Sequence, residues 1–285
     1  MLLRILSASC LVLFCFAASA EEQHLDADGV KIRFTVDGEG EPVVLVHGFG
    51  ANAEFNWRLP GITAALAKQH QVIALDVRGH GKSGKPHERE AYGVEMAADV
   101  IRVMNHLKIE KAHIVGYSMG GFITMKLIAD HPDRFISAVL GGSGGIRDDY
   151  VHDWNDAAAE KLEAGESLKD ALLSSLPDGV ELDEQQLAMM DAFFNNQDPK
   201  ALAAVLASWR DLSVSYEKLE ANKIPTLVIY GSEEDTNTRT YIASLESRMS
   251  SSEFQLIDGA DHMTAIASPL FRDSILKFIE ANVSR

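Results

Sequence analysis

His113-Ile114-Val115-Gly116-Tyr117-Ser118-Met119-Gly120-Gly121 is the stretch on which the fold turns. An apolar run stops in a Gly-x-Ser-x-Gly pentapeptide, and helical spacing follows from Met119 to Asp130. That order predicts a buried strand, a sharp turn and a helix, with Ser118 at the turn. A turn this tight holds its central residue in a strained backbone, which small flanking residues make tolerable. It would lift the Ser118 hydroxyl above the sheet edge at a helix N-terminus, where the positive end of the dipole favours an anion.

The same grammar extends outward in both directions. Val43-Val44-Leu45-Val46, Val72-Ile73-Ala74-Leu75 and Ile136-Ser137-Ala138-Val139-Leu140 are further apolar runs, with helical stretches at 62–69 and 94–107 between them. Strand and helix alternating at this spacing predict parallel pairing with right-handed crossovers. At the front, the Asp28-Gly29 turn pair leads into alternating Val30-Lys31-Ile32-Arg33-Phe34, a hairpin signal, and Asp37-Gly38-Glu39-Gly40 makes a second turn. The alternation breaks after Gly145. Residues 146–215 carry helical periodicity and no strand run, and they are too long for a plain loop. The pattern resumes with a strand at 226–230, a helix at 240–248, a strand at 254–257 and a helix at 269–282. The expected class is therefore α/β, in two core parts (21–145 and 216–285) interrupted by a helical lid over 146–215, where a parallel sheet offers its ligand crevice.

Residues 1–20 read as an export leader. Arg4 gives the basic start, Leu11 to Phe16 the apolar stretch, and Ala18-Ser19-Ala20 the small-residue cleavage site. The apolar run is too short to span a bilayer, so the expectation is a protein exported to the periplasm or beyond, without stable membrane insertion. Cys10 and Cys15, the two cysteines of the chain, would leave with the leader, and with them any disulfide, thiolate metal site or cysteine nucleophile. Loss of Arg4 takes the formal charge from −16 to −17. Such an excess repels phosphate backbones and disfavours nucleic acid or an anionic polymer as partner.

A serine hydroxyl needs a base. Of the ten histidines, His262 follows the serine and sits in Leu256-Ile257-Asp258-Gly259-Ala260-Asp261-His262-Met263, between the last strand and the last helix. An acid that orients it belongs after the preceding strand, where Gly231-Ser232-Glu233-Glu234-Asp235 offers three carboxylates. Asp235 is the choice on its shorter side chain, with Glu234 open. His47-Gly48-Phe49-Gly50 follows the strand at 43–46, so the amides of Phe49 and Met119 are the expected oxyanion donors.

With these residues the sequence resembles the α/β-hydrolase superfamily, in its esterase- and lipase-like serine branch with a helical lid. The resemblance covers the His-Gly loop, Asp76-Val77-Arg78-Gly79-His80-Gly81-Lys82-Ser83, the serine elbow through Gly121 and the acid-then-His order. It implies an eight-stranded, mostly parallel sheet with the second strand antiparallel, a Ser-His-Asp triad, no cofactor or metal, and a structural role for the Asp76–Ser83 loop. In that family the acid stands three residues after the glycine closing its strand, which is Glu234; Asp235 is four after. Two other patterns are set aside. Gly79-His80-Gly81-Lys82-Ser83-Gly84-Lys85 matches a phosphate loop until Pro86 replaces the magnesium-binding hydroxyl, and Asp148, Asp149, His152, Asp153 and Asp156 read as a solvated acidic face.

The implied activity is acyl transfer to water on a small molecule. A carboxylic ester with a small to medium apolar acyl group is the leading substrate, with Phe193, Phe194, Trp209 and Trp154 as candidates to line its pocket over Phe49 and Met119. Lactonase, carbon–carbon bond hydrolase, aminopeptidase and perhydrolase chemistry use the same constellation. A non-catalytic binding protein would be expected to lack one of the triad residues, and none is missing here.

Overall fold

The computed structural model describes residues 21–147, 153–174, 184–194 and 197–283. The leader at 1–20, Asp148, Asp149, His152 and the side chains of Asp153, Trp154 and Phe193 lie outside the described residues.

Eight strands form one sheet: β1 (Glu21–Ala27), β2 (Val30–Asp37), β3 (Glu41–Val46), β4 (His70–Leu75), β5 (Ala112–Tyr117), β6 (Phe135–Gly141), β7 (Thr226–Gly231) and β8 (Ser252–Ile257). Their order across the sheet is β1-β2-β4-β3-β5-β6-β7-β8. β2 runs antiparallel to both its neighbours and the remaining pairings from β4 onward are parallel, as the resemblance implies. Asp28 and Gly29 both take positive φ (56° and 90°), the turn geometry that follows strand twist in a two-residue hairpin.

The continuous apolar runs are explained by burial on both faces. Along β3, Val44 and Val46 pack with Met96, Val100 and Ile123, while Val43 and Leu45 pack with Trp57, Ile62, Leu66 and Ile275. One face is thus covered by α2 (Val94–His106) and α3 (Met119–Asp130), the other by α1 (Ile62–Leu66) and α10 (Pro269–Ala281). Each such side chain removed from water contributes about 1.5–3 kcal/mol, so a polar substitution in β3 would be severe. The Asp76–Ser83 loop is folded about its own residues. Asp76 accepts the amides of Ala53 and Lys82, each at 2.9 Å, and Ser83 donates to the Asp76 carbonyl at 2.6 Å. Arg78 forks onto the buried Asp99 carboxylate at 2.6 and 2.7 Å.

Between β6 and β7 lie α4 (Asp153–Glu163), α5 (Leu168–Leu173), α6 (Glu184–Phe194), α7 (Pro199–Ser208) and α8 (Tyr216–Ala221). The Val214 amide donates to the Ile146 carbonyl at 2.8 Å and so joins the two ends of this insertion. His87 meets Asp198 at 3.0 Å and Arg89 meets Asp211 at 2.8 Å, tying it to the loop after β4. The last α/β unit adds α9 (Thr236–Arg248), which begins four residues before the sequence-based start. The chain steps from β3 to β4 on one side and to β5 on the other, and at such a switch point the loops after the two strands part to leave a crevice.

Candidate active site

Ser118 stands at that crevice, at the end of β5 and ahead of α3, with φ 54° and ψ −116°. A non-glycine residue held there costs about 1–3 kcal/mol and persists only where the surroundings over-determine it. They do here. A Cβ on Gly116 would lie 2.0 Å from the Gly120 carbonyl oxygen, and one on Gly120 would lie 2.1 Å from that of Val46. Strand and helix touch at those two positions, which is why the pentapeptide needs glycine at both. The Ser118 amide donates to the Gly141 carbonyl at 2.8 Å, and the Ser118 carbonyl accepts the Gly121 amide at 2.8 Å.

His262 Nε2 lies 2.9 Å from Ser118 Oγ. Its Nδ1 lies 2.7 Å from Oε2 of Glu234. With Nδ1–H donating to the carboxylate, Nε2 is left to accept the serine proton, the tautomer a base needs. Burial, the largest single influence, pushes the His262 pKa down; the hydrogen bond and charge of Glu234, with Asp235 and Asp261, outweigh it and leave the group above its ordinary value.

The acid against His262 is therefore Glu234, and the choice of Asp235 is corrected. Asp235 is the N-cap of α9: its Oδ1 accepts the amides of Asn237 and Thr238 at 2.8 and 3.0 Å. That carboxylate faces the helix it starts, at an exposed position on the rim of the crevice. Glu234 is 2% exposed, and its longer arm spans the distance to His262. A cap signal was legible in the sequence, since Asp is a preferred N-cap and its oxygens are then committed to backbone amides.

The loop after β3 comes against the serine. A Cβ on Gly48 would lie 3.2 Å from Ser118 Cβ, and Phe49 lines the crevice. His47 is fully buried, accepts the Val77 amide on Nε2 at 2.9 Å and uses Nδ1 to bond the Gly48 carbonyl at 2.8 Å. Burial lowers its pKa, so it is a neutral loop-holding residue. Asn56, which the sequence reading passed over, sits in a π-helical turn over Glu54–Arg58 and accepts the Gly48 amide on Oδ1 at 2.8 Å. Met119 opens α3, so the helix offers its amide no internal partner.

The crevice encloses about 290 Å³. Phe49, Phe122, Leu168, Phe194, Trp209 and Tyr241 supply much of its apolar wall. Trp209 packs edge-on against Phe49 and Phe122, with ring centroids 5.5 and 5.3 Å apart, so it both lines the cavity and joins the insertion to the core. Met119, expected in the floor, instead points into the core with Ile123 and Leu127, all 0% exposed, and Phe122 takes that place one turn beyond Ser118. Among the lining residues the ionisable side chains are Asp235, His262 and the two tyrosines; no Lys or Arg is among them.

Residue types alone do not make such a site. Ser137, His113 and Glu41 also meet, at 2.7 and 2.9 Å, at the opposite end of the central strands β6, β5 and β3. Ser137 and His113 are fully buried, and burial lowers the His113 pKa. A substrate has no approach to that serine.

The fold is shared with known proteins. The sequence model of the alpha/beta hydrolase fold matches residues 41–269. The chain is 28% identical over 221 residues to the 2-hydroxy-6-oxo-6-(2'-aminophenyl)hexa-2,4-dienoic acid hydrolase of Metapseudomonas resinovorans, covering 75% of this chain and 74% of that one. It is 39% identical over 132 residues to the dihydrolipoyllysine-residue acetyltransferase component of the acetoin cleaving system of Cupriavidus necator; that match covers 46% of this chain and spans about a third (34%) of the relative's length. In structure it is similar to the enol-lactonase from Burkholderia xenovorans, with a TM-score of 0.75 at 26% identity, over 90% of this chain and all (100%) of that one. The family model over residues 41–269 and a sheet of this topology place the chain in the α/β-hydrolase fold family.

Proposed function

We propose that the protein is a serine hydrolase of uncharged carboxylic esters with small to medium apolar acyl groups. Ser118 is the nucleophile, His262 the general base, Glu234 the acid that orients it, and the Phe49 and Met119 amides the oxyanion donors. As Ser118 Oγ attacks the ester carbonyl, its proton passes to His262 Nε2. The negative charge of Glu234 steadies the imidazolium, and the carbonyl oxygen gains charge against the two amides, each typically worth about 3 kcal/mol. His262 then gives its proton to the leaving alcohol. A water molecule, deprotonated in turn by His262, releases the acid from the acyl-enzyme.

The observation that carries the choice of substrate is the character of the cavity wall. Its volume is at the small end of ligand pockets, roughly 300–1,000 Å³, and its lining is largely apolar, with Asn56, Ser143, Asn155 and Thr238 as uncharged polar side chains beside the serine and histidine. Asp235 puts a negative charge on the rim, and the stretches 148–152, 175–183 and 195–196 hold no Lys or Arg. A carboxylate-bearing substrate, such as the dienoic acid named for the Metapseudomonas relative, would meet no Lys or Arg side chain among the described lining residues. Arg147 lies behind that wall, donating to the Gly144 carbonyl at 2.8 Å and set over the Tyr241 ring at 4.3 Å, so burying the carboxylate there is disfavoured. An uncharged lactone satisfies the same wall, and the likeness to an enol-lactonase makes lactone hydrolysis the second reading. The helices over 153–208 act as the lid of this cavity.

A panel matched in length tests it: neutral alkyl esters, lactones and ω-carboxylated esters of the same acyl chain. Turnover at least about tenfold higher on the neutral members, for each 1.4 kcal/mol of discrimination, supports the proposal. Preference for the carboxylated members sinks it. Export rests on the leader at 1–20. A mature N-terminus near Glu21 in the periplasmic or extracellular fraction supports it, and a retained Met1 in the cytosol opposes it.

A further inference from the structure

Ser118 and His262 belong to loops after β5 and β8, which have two strands between them in the sheet. Their 2.9 Å contact needs a tie between those loops, and one lies beside it. The Tyr117 hydroxyl, one residue before the serine, donates to the His262 backbone carbonyl at 2.5 Å. Tyr117 is 4% exposed, its ring set against Phe271 at 5.6 Å and tilted over the His262 imidazole at 5.5 Å.

The turn that presents His262 makes the role of this hydroxyl specific. Asp261 Oδ1 accepts the amides of Met263 and Thr264 at 3.0 and 2.8 Å, and the Ala265 amide closes a helical turn onto the Asp261 carbonyl at 3.0 Å. The next bond in that register would run from the Ile266 amide to the His262 carbonyl. That carbonyl takes the Tyr117 hydroxyl instead, and the Ile266 amide faces the phenol oxygen. The phenol thus stands where a fourth-neighbour backbone bond would otherwise close.

We propose that Tyr117 is a positioning residue for His262, its hydroxyl holding the turn at 262–266 open so that the imidazole reaches both Ser118 and Glu234. This rests on the catalytic reading of those three residues given above. Without the hydroxyl, the His262 carbonyl and Ile266 amide close on each other, and the imidazole retreats from both partners. The charged groups facing that imidazole are Glu234, Asp235 and Asp261. Retreat from Glu234 weakens the influence that holds the pKa up.

Tyr117→Phe keeps the ring and removes the donor; 4-aminophenylalanine at the same position restores an N–H donor. Both are compared with the wild type on one neutral ester, with the thermal midpoint as the check on folding. For Tyr117→Phe, kcat falls about tenfold to a hundredfold, as expected for sub-ångström to 1 Å misplacement, with KM little changed. The acid limb of its kcat/KM profile moves to lower pH, and the aminophenylalanine variant recovers most of both. An unshifted profile with wild-type kcat in Tyr117→Phe overturns the proposal, and so does an equal loss in the two variants, which would mark a packing role. Ser118→Ala and His262→Ala serve as controls. If either keeps wild-type turnover, the catalytic reading itself falls and the Tyr117 proposal with it; if both lose it and Tyr117→Phe does not, the Tyr117 proposal alone falls.

Discussion

Exchanging the two adjacent carboxylates for their amides separates their roles. In Glu234→Gln the contact at 2.7 Å to His262 Nδ1 is retained in shape, but the charge that stabilises the imidazolium is lost. The new amide can also present its NH₂ to Nδ1, forcing the proton onto Nε2, where it blocks acceptance from Ser118. Glu234 is 2% exposed, so no solvent screens the loss. Breaking an orienting acid in this way typically costs about 10⁴ in kcat, or about 5 kcal/mol of transition-state stabilisation. Asp235→Asn should leave kcat within about threefold, because an Asn N-cap still accepts the amides of Asn237 and Thr238. Asp235→Ala removes the cap at about 1 kcal/mol, which lowers the midpoint of a chain this size by about 2–4 °C, with kcat again near wild type. Initial rates on a chromogenic neutral ester and thermal melts of the three variants provide the readout. Comparable kcat losses in Glu234→Gln and Asp235→Asn would refute the assignment.

Further outcomes follow from the same contacts. The His262 pKa lies above the ordinary imidazole value and the base must be neutral, so kcat/KM should fall as pH drops through a pKa above about 6.5; in Glu234→Gln the residual activity should show that limb displaced to lower pH. Gly142→Ala would place a Cβ 3.1 Å from Glu234 Oε1 and 3.2 Å from His262 Nδ1, at φ 53°, so kcat should drop by at least about tenfold with the cavity otherwise intact. Asn56→Ala leaves the buried Gly48 amide without its acceptor, at about 1–3 kcal/mol, and should lower both the melting midpoint and kcat. Asp99→Ala removes the paired carboxylate from the Arg78 guanidinium, buried at 3% exposure, and leaves it the Ala91 carbonyl at 2.6 Å and Glu95 at 3.8 Å, so it should destabilise by up to about 3 kcal/mol in a denaturant titration without changing KM.

The central strands β3 to β7 are legible because a parallel strand covered on both faces leaves few places for a polar side chain, which makes runs such as Val43 to Val46 unmistakable. The serine and histidine are legible for different reasons: Ser118 sits in a turn whose neighbours are dictated by backbone geometry, as Gly116 and Gly120 show, and His262 is singled out by its place after the serine, between the last strand and the last helix. Side-chain direction was harder to read. Met119 turns into the core because it shares a helix face with Ile123 and Leu127, whereas Phe122 shares the face of Ser118; the fourth-neighbour spacing held that information. The start of α9 was placed late because Thr236-Asn237-Thr238 are poor helix formers and the cap at Asp235, not propensity, begins the helix. The turn carrying Asn56 is too short for any period to register, and its bond to Gly48 is made only in three dimensions.

The central claim is an activated serine at the elbow, and intact-mass analysis after treatment with a fluorophosphonate ester tests it most directly. One adduct per chain, mapped to Ser118 by peptide sequencing and lost in His262→Ala, is the predicted result. A folded, unlabelled wild-type protein, or an adduct on another residue that survives Ser118→Ala, would contradict it.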